Sequence, residues 1–427
     1  MQKSDWKKCK LKDLVKINSS SVSKKDNLEH IVYLDTGNIT MGKIEELAEF
    51  AYSEAPSRAK RKVKENSIVY SMVRPNQRHY GLIKNPTTNL IVSTGFAVLD
   101  AKEFADSKYI YYWLTQNHIT DLLQSIAENS TSAYPAIRPI DLENLDISLP
   151  PLDEQKRIAE ILGSLDDKIE LLQKQNKTLE DMAKALFKSW FVDFDVVRAK
   201  QKGLPKADIM REYHLTDELY DLFPSSFADS PLGPIPSGWE VKPLSKIATF
   251  LNGLALQKYP ARAEEDFLPV IKIAELRNGI STSTDKANTN LPTEYIVHNG
   301  DILFSWSGSL MVKVWSGEKG ALNQHLFKVF SNGYPKWFYY LWVNHYLPMF
   351  QEIAADKATT MGHIQRKHLD QANVVCPSAA FLDKMDKIFG VILSKIILNN
   401  KQIQTLTELR DTLLPRLISG RFSMTRR

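Results

Sequence analysis

The segment RPNQRHYG (74–81) gathers Arg74, Gln77, Arg78 and His79 within one turn. Side chains of these types donate hydrogen bonds in the geometry that guanine and adenine edges accept in a major groove. Just ahead of it, SRAKRKVKEN (57–66) sets Arg58, Lys60, Arg61, Lys62 and Lys64 before a predicted strand, an edge suited to phosphates. A charge run is ordinarily a solvated face, and Arg74 and His79 have internal carboxylates or carbonyls as competing partners. In the second half of the chain, Lys258, Tyr259 and Arg262 follow a turn at Asn252 and Gly253, and Arg277 follows the apolar VIKI. The counterpart of the donor-rich loop, SWSGSLMVK (305–313), is poorer in charge but keeps Ser307, Ser309 and Lys313. Asn323, Gln324 and His325 form a polar cluster that reads either as a contact surface or as buried polar packing. Tyr134 and Arg138, then His363, Gln365 and Arg366, lie just before long helical segments and within reach of the same groove.

These residues read as candidate binding groups; none forms a catalytic set. The sequence has no Asn/Asp-Pro-Pro-aromatic tetrapeptide, no phosphate loop of the form GxxxxGK[ST] and no HExxH or zinc spacing. The acidic pairs Asp166 and Asp167, and Asp193 and Asp195, fall on or beside a helical segment and read as solvated or partner-binding carboxylates. Cys9 and Cys376 are far apart and are expected to be reduced thiols. A formal charge of +5 permits a nucleic-acid partner without establishing one. The amino terminus, MQKSDWKKCK, lacks a signal-peptide core, and no stretch approaches roughly 18 uncharged apolar residues, so a cytoplasmic location is expected.

The elements that must position these side chains repeat. A chain of 427 residues with 43% apolar and 25% charged residues is globular and exceeds a single core. Trp6, Leu11 and Leu14 match Trp239, Leu244 and Ile247 in spacing. NSIVYS (66–71) resembles NGDILFS (299–305), and VSTGFAVL (92–99) resembles LNQHLFKV (322–329), all with the alternation of sheet strands. Ile137, Leu142 and Pro150 stand 227 residues before Ile364, Leu369 and Pro377, so no insertion separates the repeats there.

After each of those prolines an apolar stripe recurs in steps of three and four. In the first stripe Leu165, Ile169, Leu172, Asn176 and Leu179 form the centre, with Asp153 as a cap; in the second, Ile392, Ile396, Asn399, Ile403 and Leu406, continuing to Leu409, Leu413 and Leu417. A helix of about 40 residues is roughly 60 Å long. Two of them are expected to bury their stripes against each other antiparallel, with Asn176 and Asn399 hydrogen-bonded across the seam to set its register, or else solvated at its edge. The expected fold class is α+β multidomain: two α/β recognition domains and two long antiparallel helices as a coiled-coil spacer, related by a pseudo-twofold repeat. The expected boundaries are 1–150, a first domain; 151–195, a first helix; 196–238, a surface linker; 239–377, a second domain; and 378–427, a second helix and tail. Two domains on a rigid spacer suit two unlike half-sites on one duplex.

Four strings in order, LPPLDEQKRIAEIL (149–162), LFKSWFVDFD (186–195), GPIPSGWEVKPLSKIA (233–248) and LRDTLLPRLISGRF (409–422), resemble type I restriction-modification specificity subunits over nearly the whole chain. The resemblance implies a non-catalytic adaptor that binds double-stranded DNA at a bipartite asymmetric target. It also implies two methyltransferase subunits and restriction/translocase subunits as partners. S-adenosylmethionine, ATP and magnesium would then reside in those partners, with no cofactor in this chain. Trp190, Phe191 and Phe194, which end the first helix, would either dock a methyltransferase subunit or pack on the neighbouring domain. On the residues alone, an enzyme with an unrecognised site and a coiled-coil scaffold without a nucleic-acid role remain the alternatives.

Overall fold

The computed structural model describes residues 6–45, 47–130, 134–262, 266–281, 283–356 and 362–421. The chain divides into two compact units, residues 1–168 with 406–427, and residues 169–405. The first is discontinuous in sequence and the second is one continuous stretch, and the two long helices, Leu152–Phe187 and Ala379–Ile418, contribute to both.

The first unit holds two four-stranded sheets. One runs in the order Ala48–Ala51, His30–Leu34, Leu90–Ser93, Ala59–Lys62, and the other in the order Val15–Ile17, Phe96–Ala101, Ile68–Ser71, Tyr80–Leu82. A further pairing, Lys7–Lys10 with Asp146–Leu149, ties the beginning of the domain to its end. The second unit repeats this plan strand for strand. Its sheets are Lys286–Asn288, Phe267–Ile271, Gly320–Leu322, Ile296–Val297 and Thr249–Asn252, Leu326–Phe330, Ile302–Ser305, Met311–Val314, closed by Glu240–Pro243 on Asn373–Cys376. Even the one parallel pairing recurs, His30–Leu34 with Leu90–Ser93 and Phe267–Ile271 with Gly320–Leu322. The segments 92–99 and 322–329, each expected as strand, both break in the middle. Thr94–Gly95 and Asn323–His325 are corners at which the chain leaves one sheet for the next. Alternation survives such a corner because both sheets bury one face.

The helices pair antiparallel within each unit. In the second, Asn176 meets Asn399 and Asn400 while Trp190 meets Phe389 farther down one helix and farther up the other. In the first, Asp166 meets Arg410 while Ile158 and Leu162 share a core with Leu417 and Ile418. Ile169, Leu172, Asn176, Ile396 and Asn399 are buried, and Leu165, Leu179, Ile392, Ile403 and Leu406 are half-buried. The stripe does not continue as expected to Leu409, which is 44% exposed; its neighbour Arg410 turns inward instead. Asp153 lies inside the first turn rather than capping it, and the Gln155 side chain there donates to the Pro150 carbonyl and accepts from the Asp106 N–H.

Asn399 Nδ2 donates to Asn176 Oδ1 at 2.9 Å, and Asn176 Nδ2 to Asn400 Oδ1 at 2.7 Å. A buried amide is stabilised only where its partner stands opposite, so these bonds favour one register over its neighbours. In the first unit Asp166 plays that part. It accepts from the Arg410 guanidinium at 2.9 Å and from the Tyr112 hydroxyl at 2.7 Å, so this half-buried carboxylate, expected as solvated or partner-binding, is engaged within the unit. Burial opposes the Arg410 charge, but its bonds to Asp166 and Asp411 outweigh that and raise its pKa. Burial, followed by the charge of Asp166, pushes the Tyr112 hydroxyl far above the usual phenol range, which keeps it a donor.

The segment 196–238 is no surface linker. Asp195–Gln201, Lys206–Glu212 and Asp217–Leu222 are helices of two turns or fewer, too short to show a stripe in sequence. They bury Val196, Val197, Ile209, Leu215 and Phe223 in the second unit's core, and Lys200 Nζ donates to the carbonyls of Tyr220 and Phe223 at the last helix end.

Replacing Asn176 by Leu removes the acceptor of a buried amide, so stability should fall by about 1–3 kcal/mol. Adding Asn399→Leu should recover most of that loss, as an apolar seam needs no matched partners. Urea unfolding followed by tryptophan fluorescence measures both.

Candidate nucleic-acid interface

In the first unit the strand Ile68–Ser71 delivers the chain into the donor-rich loop, and a second segment, 134–138, comes alongside. Val73 bridges Ala136, Arg74 N–H donates to the Pro135 carbonyl and Ile137 N–H to the Met72 carbonyl. Arg74 and Arg78 both take left-handed backbone conformations, φ 49° and 57°, flanking a single tight turn, Pro75–Gln77. Such backbone is costly for residues other than glycine and persists where the surroundings impose it. The Gln124 side chain helps do so by accepting from Asn76 N–H. The result brings Arg74, Gln77, Arg78, Tyr134 and Arg138 to one place. The Arg74 guanidinium lies over the Tyr134 ring, 5.4 Å from its centre, and Arg138 pairs with Asp141. His79 Nδ1 donates to the Ile39 carbonyl at 2.6 Å, the internal partner weighed for it, and Nε2 is its other ring nitrogen.

The basic run is partly neutralised. Arg58 and Lys60 are exposed, with Lys60 Nζ 5.8 Å from the Tyr52 ring centre. Arg61 is half-buried and donates to Ser21, while Lys62 pairs with Asp26 and Lys64 approaches Asp100 at 3.9 Å. The bonds from Lys62 and Ser23 hold the Asp26 carboxyl down at about 2. The run itself forms the edge strand Ala59–Lys62, ahead of the expected strand at Ile68–Ser71.

The second unit builds its counterpart from the same backbone bonds. Ser307 bridges His363, and Ile364 N–H donates to the Trp306 carbonyl as Ile137 does to Met72. Ser307, Asn323, Gln324, His325 and His363 converge here. Ser307 Oγ lies 3.0 Å from His325 Nδ1, and Asn323, buried, donates to the Gln324 side chain and accepts from the His325 N–H. Gln365 and Arg366 are exposed at the start of the next short helix. Lys258, Tyr259 and Arg262 belong to a different patch, where Tyr259 packs on the core of Leu256, Leu268 and Ile296. Arg277 and Lys313 adjoin each other, Lys313 Nζ donating to the Arg277 carbonyl. Sequence reasoning missed Trp306 and Asn252, whose side chains bond within this cluster, because neither type nor charge marks them; only the Gly253 turn signalled the close approach.

Trp190, Phe191 and Phe194 are not a docking surface. They are 2%, 0% and 7% exposed and sit in an aromatic core with Phe223, Trp239, Trp337, Phe381 and Phe389. A π-helical turn at Lys188–Val192, closed by the Asp193 N–H on the Lys188 carbonyl, rotates them inward. Cys376 is buried and its thiol is pushed up to about 11; Cys9 is also free. Among the described residues no His, Cys, Asp or Glu side chains cluster as metal ligands, and no helix is long and apolar enough to cross a membrane.

The fold and its paired loop clusters define a chain made of two copies of one domain plan. A family model for the type I restriction modification DNA specificity domain matches residues 3–181 and again 236–408. The chain belongs to that family. It is 26% identical to the type I restriction enzyme HindI specificity subunit of Haemophilus influenzae, over 98% of this chain and 99% of that one. It is 27% identical to the MjaIX specificity subunit of Methanocaldococcus jannaschii, over 80% and 74%. Among solved structures, the S subunit of a type I restriction-modification system from M. genitalium superposes with a TM-score of 0.53 at 16% identity, covering 98% of this chain and 97% of that one, and so shares the fold.

With Trp190 in the core, Trp190→Ala should cost about 3–5 kcal/mol in unfolding free energy. A denaturant titration that left stability unchanged would return this residue to a surface role.

Proposed function

We propose that this chain is the DNA-reading adaptor of a type I restriction-modification complex, acting in the cytoplasm on a split and asymmetric target. One observation carries the reading: each unit joins two sequence-remote loops by equivalent backbone bonds, yet furnishes them with different side chains. One frame used twice suits one duplex; unlike side chains suit unlike half-sites. In this proposal two methyltransferase subunits and the restriction/translocase subunits bind the chain. S-adenosylmethionine, ATP and magnesium belong to them, and this chain contributes recognition without catalysis.

In the first unit Gln77, Arg78 and Arg74 are the base-reading candidates, with Arg58 and Lys60 on phosphates. Tyr134 carries the Arg74 guanidinium and so orients its planar donor fork. In the second unit the candidates are His325, Gln324, His363, Gln365 and Arg366. Lys258, Arg262, Arg277 and Lys313 serve as outlying cations.

The deciding experiment maps methylated bases genome-wide in cells with and without this gene. Two short sequences at a constant gap should lose methylation together; a single uninterrupted motif would sink the reading. In binding assays with the assembled methyltransferase, Arg78→Ala should weaken the cognate site by about 1–3 kcal/mol and leave random DNA nearly unaffected. Lys60→Ala should weaken all sequences alike and reduce the slope of log affinity against log salt by about one. Activity of the purified chain alone on DNA would instead favour an enzyme.

A further inference from the structure

We propose that Trp306 is a positioning residue for sequence selection by the second unit, holding His325 and His363 in the orientation in which they meet base edges. The inference rests on the split-target reading above and names the device by which one half is read.

Trp306 follows the strand Ile302–Ser305 and is half-buried, unlike Trp315 and Trp337, which are 4% and 1% exposed within the core. Its single side-chain donor is engaged twice: Nε1–H lies 3.0 Å from Asn252 Oδ1 and 3.1 Å from the Gln324 carbonyl. An indole held this way cannot rotate about its ring axis without losing both bonds. Three rings pack around it. His325 is tilted by 34° at 6.1 Å, Phe327 lies by 33° at 5.9 Å, and His363 meets it edge-on at 6.2 Å.

The backbone joins the same four segments. Trp306 N–H donates to the His325 carbonyl, Ile364 N–H to the Trp306 carbonyl and Gly308 N–H to the Gly362 carbonyl. Asn252 can reach the indole because Gly253 presses against the 322–323 backbone; a Cβ at 253 would stand 2.2 Å from the Asn323 carbonyl oxygen. Since His325 Nδ1 is engaged with Ser307, Nε2 is the ring nitrogen left to meet a base. In the first unit the corresponding residue is Met72, which offers no ring and no donor, and there the loop carries arginines. The second unit therefore presents imidazole and amide groups on an aromatic clamp. Polar groups on flexible loops select poorly unless their rotamers are fixed, and the clamp supplies that fixation.

The test uses the complete complex in cells and reads base preference at every position of the methylated motif for wild type, Trp306→Ala, Trp306→Phe and Asn252→Ala. Trp306→Ala should lower selectivity roughly tenfold at one or more positions of one half, leaving the other half as in wild type. Trp306→Phe keeps a ring without the donor and should fall between the two; Asn252→Ala should resemble it. Unchanged profiles in Trp306→Ala, or equal loss in both halves, would overturn the proposal. Should Trp306→Ala fail to accumulate, Asn252→Ala decides, since that side chain is exposed and its loss creates no cavity. A wild-type motif without two halves would overturn the split-target reading itself, an outcome separate from any variant's.

Discussion

The register between two long helices is the constraint on which both units depend. A one-residue slip turns a helix face by about 100°, so every seam contact is lost together. Apolar side chains alone tolerate such slips, since leucine and isoleucine pack acceptably in several alignments. Buried amides do not, because an unmatched one loses its hydrogen bond in a poorly solvating interior. Asn176 with Asn399 and Asn400 in one unit, and Asp166 with Arg410 and Tyr112 in the other, make the register specific. Each unit includes residues from both helices, so the seam belongs to the fold of each.

On this frame the duplicated domains diverge where divergence costs the fold least. The bonds that join the paired loops are backbone to backbone in both units, Val73 with Ala136 and Ser307 with His363, and so do not depend on side-chain identity. The first unit has filled the frame with arginines, one lying on a tyrosine. The second has filled it with imidazoles and amides around an indole. The edge strand shows the same divergence: Ala59–Lys62 carries three cations where the corresponding strand of the second unit is the buried Ile296–Val297. Charged and neutral side chains are thus distributed differently along the matching edge strands of the two domains.

The aromatic core of the second unit explains how the segment after the first helix is held. The π-helical turn and the left-handed Phe194, at φ 57°, redirect the chain so that Trp190 and Phe191 face inward, and the short helices of 195–222 then cover them. The backbone strain at Phe194 is offset by packing on Trp239 and Phe227. What reads as an irregular linker is thereby part of a core.

The sequence by itself determined the duplication, the two helices, the centre of their seam and the order of domains, because these follow from periodicity and from spacing repeated along the chain. It also marked Arg74, Gln77, Arg78 and His325 as polar groups near strand ends. Tertiary structure alone decided that His79 Nδ1 donates to the Ile39 carbonyl, that Lys62 is paired with Asp26, and that Trp190, Phe191 and Phe194 are interior. It alone brought Asn252 to Trp306, 54 residues away. A side chain's type states which bonds it is able to make; which it does make depends on the partners that distant segments place within reach, and no local pattern carries that distance.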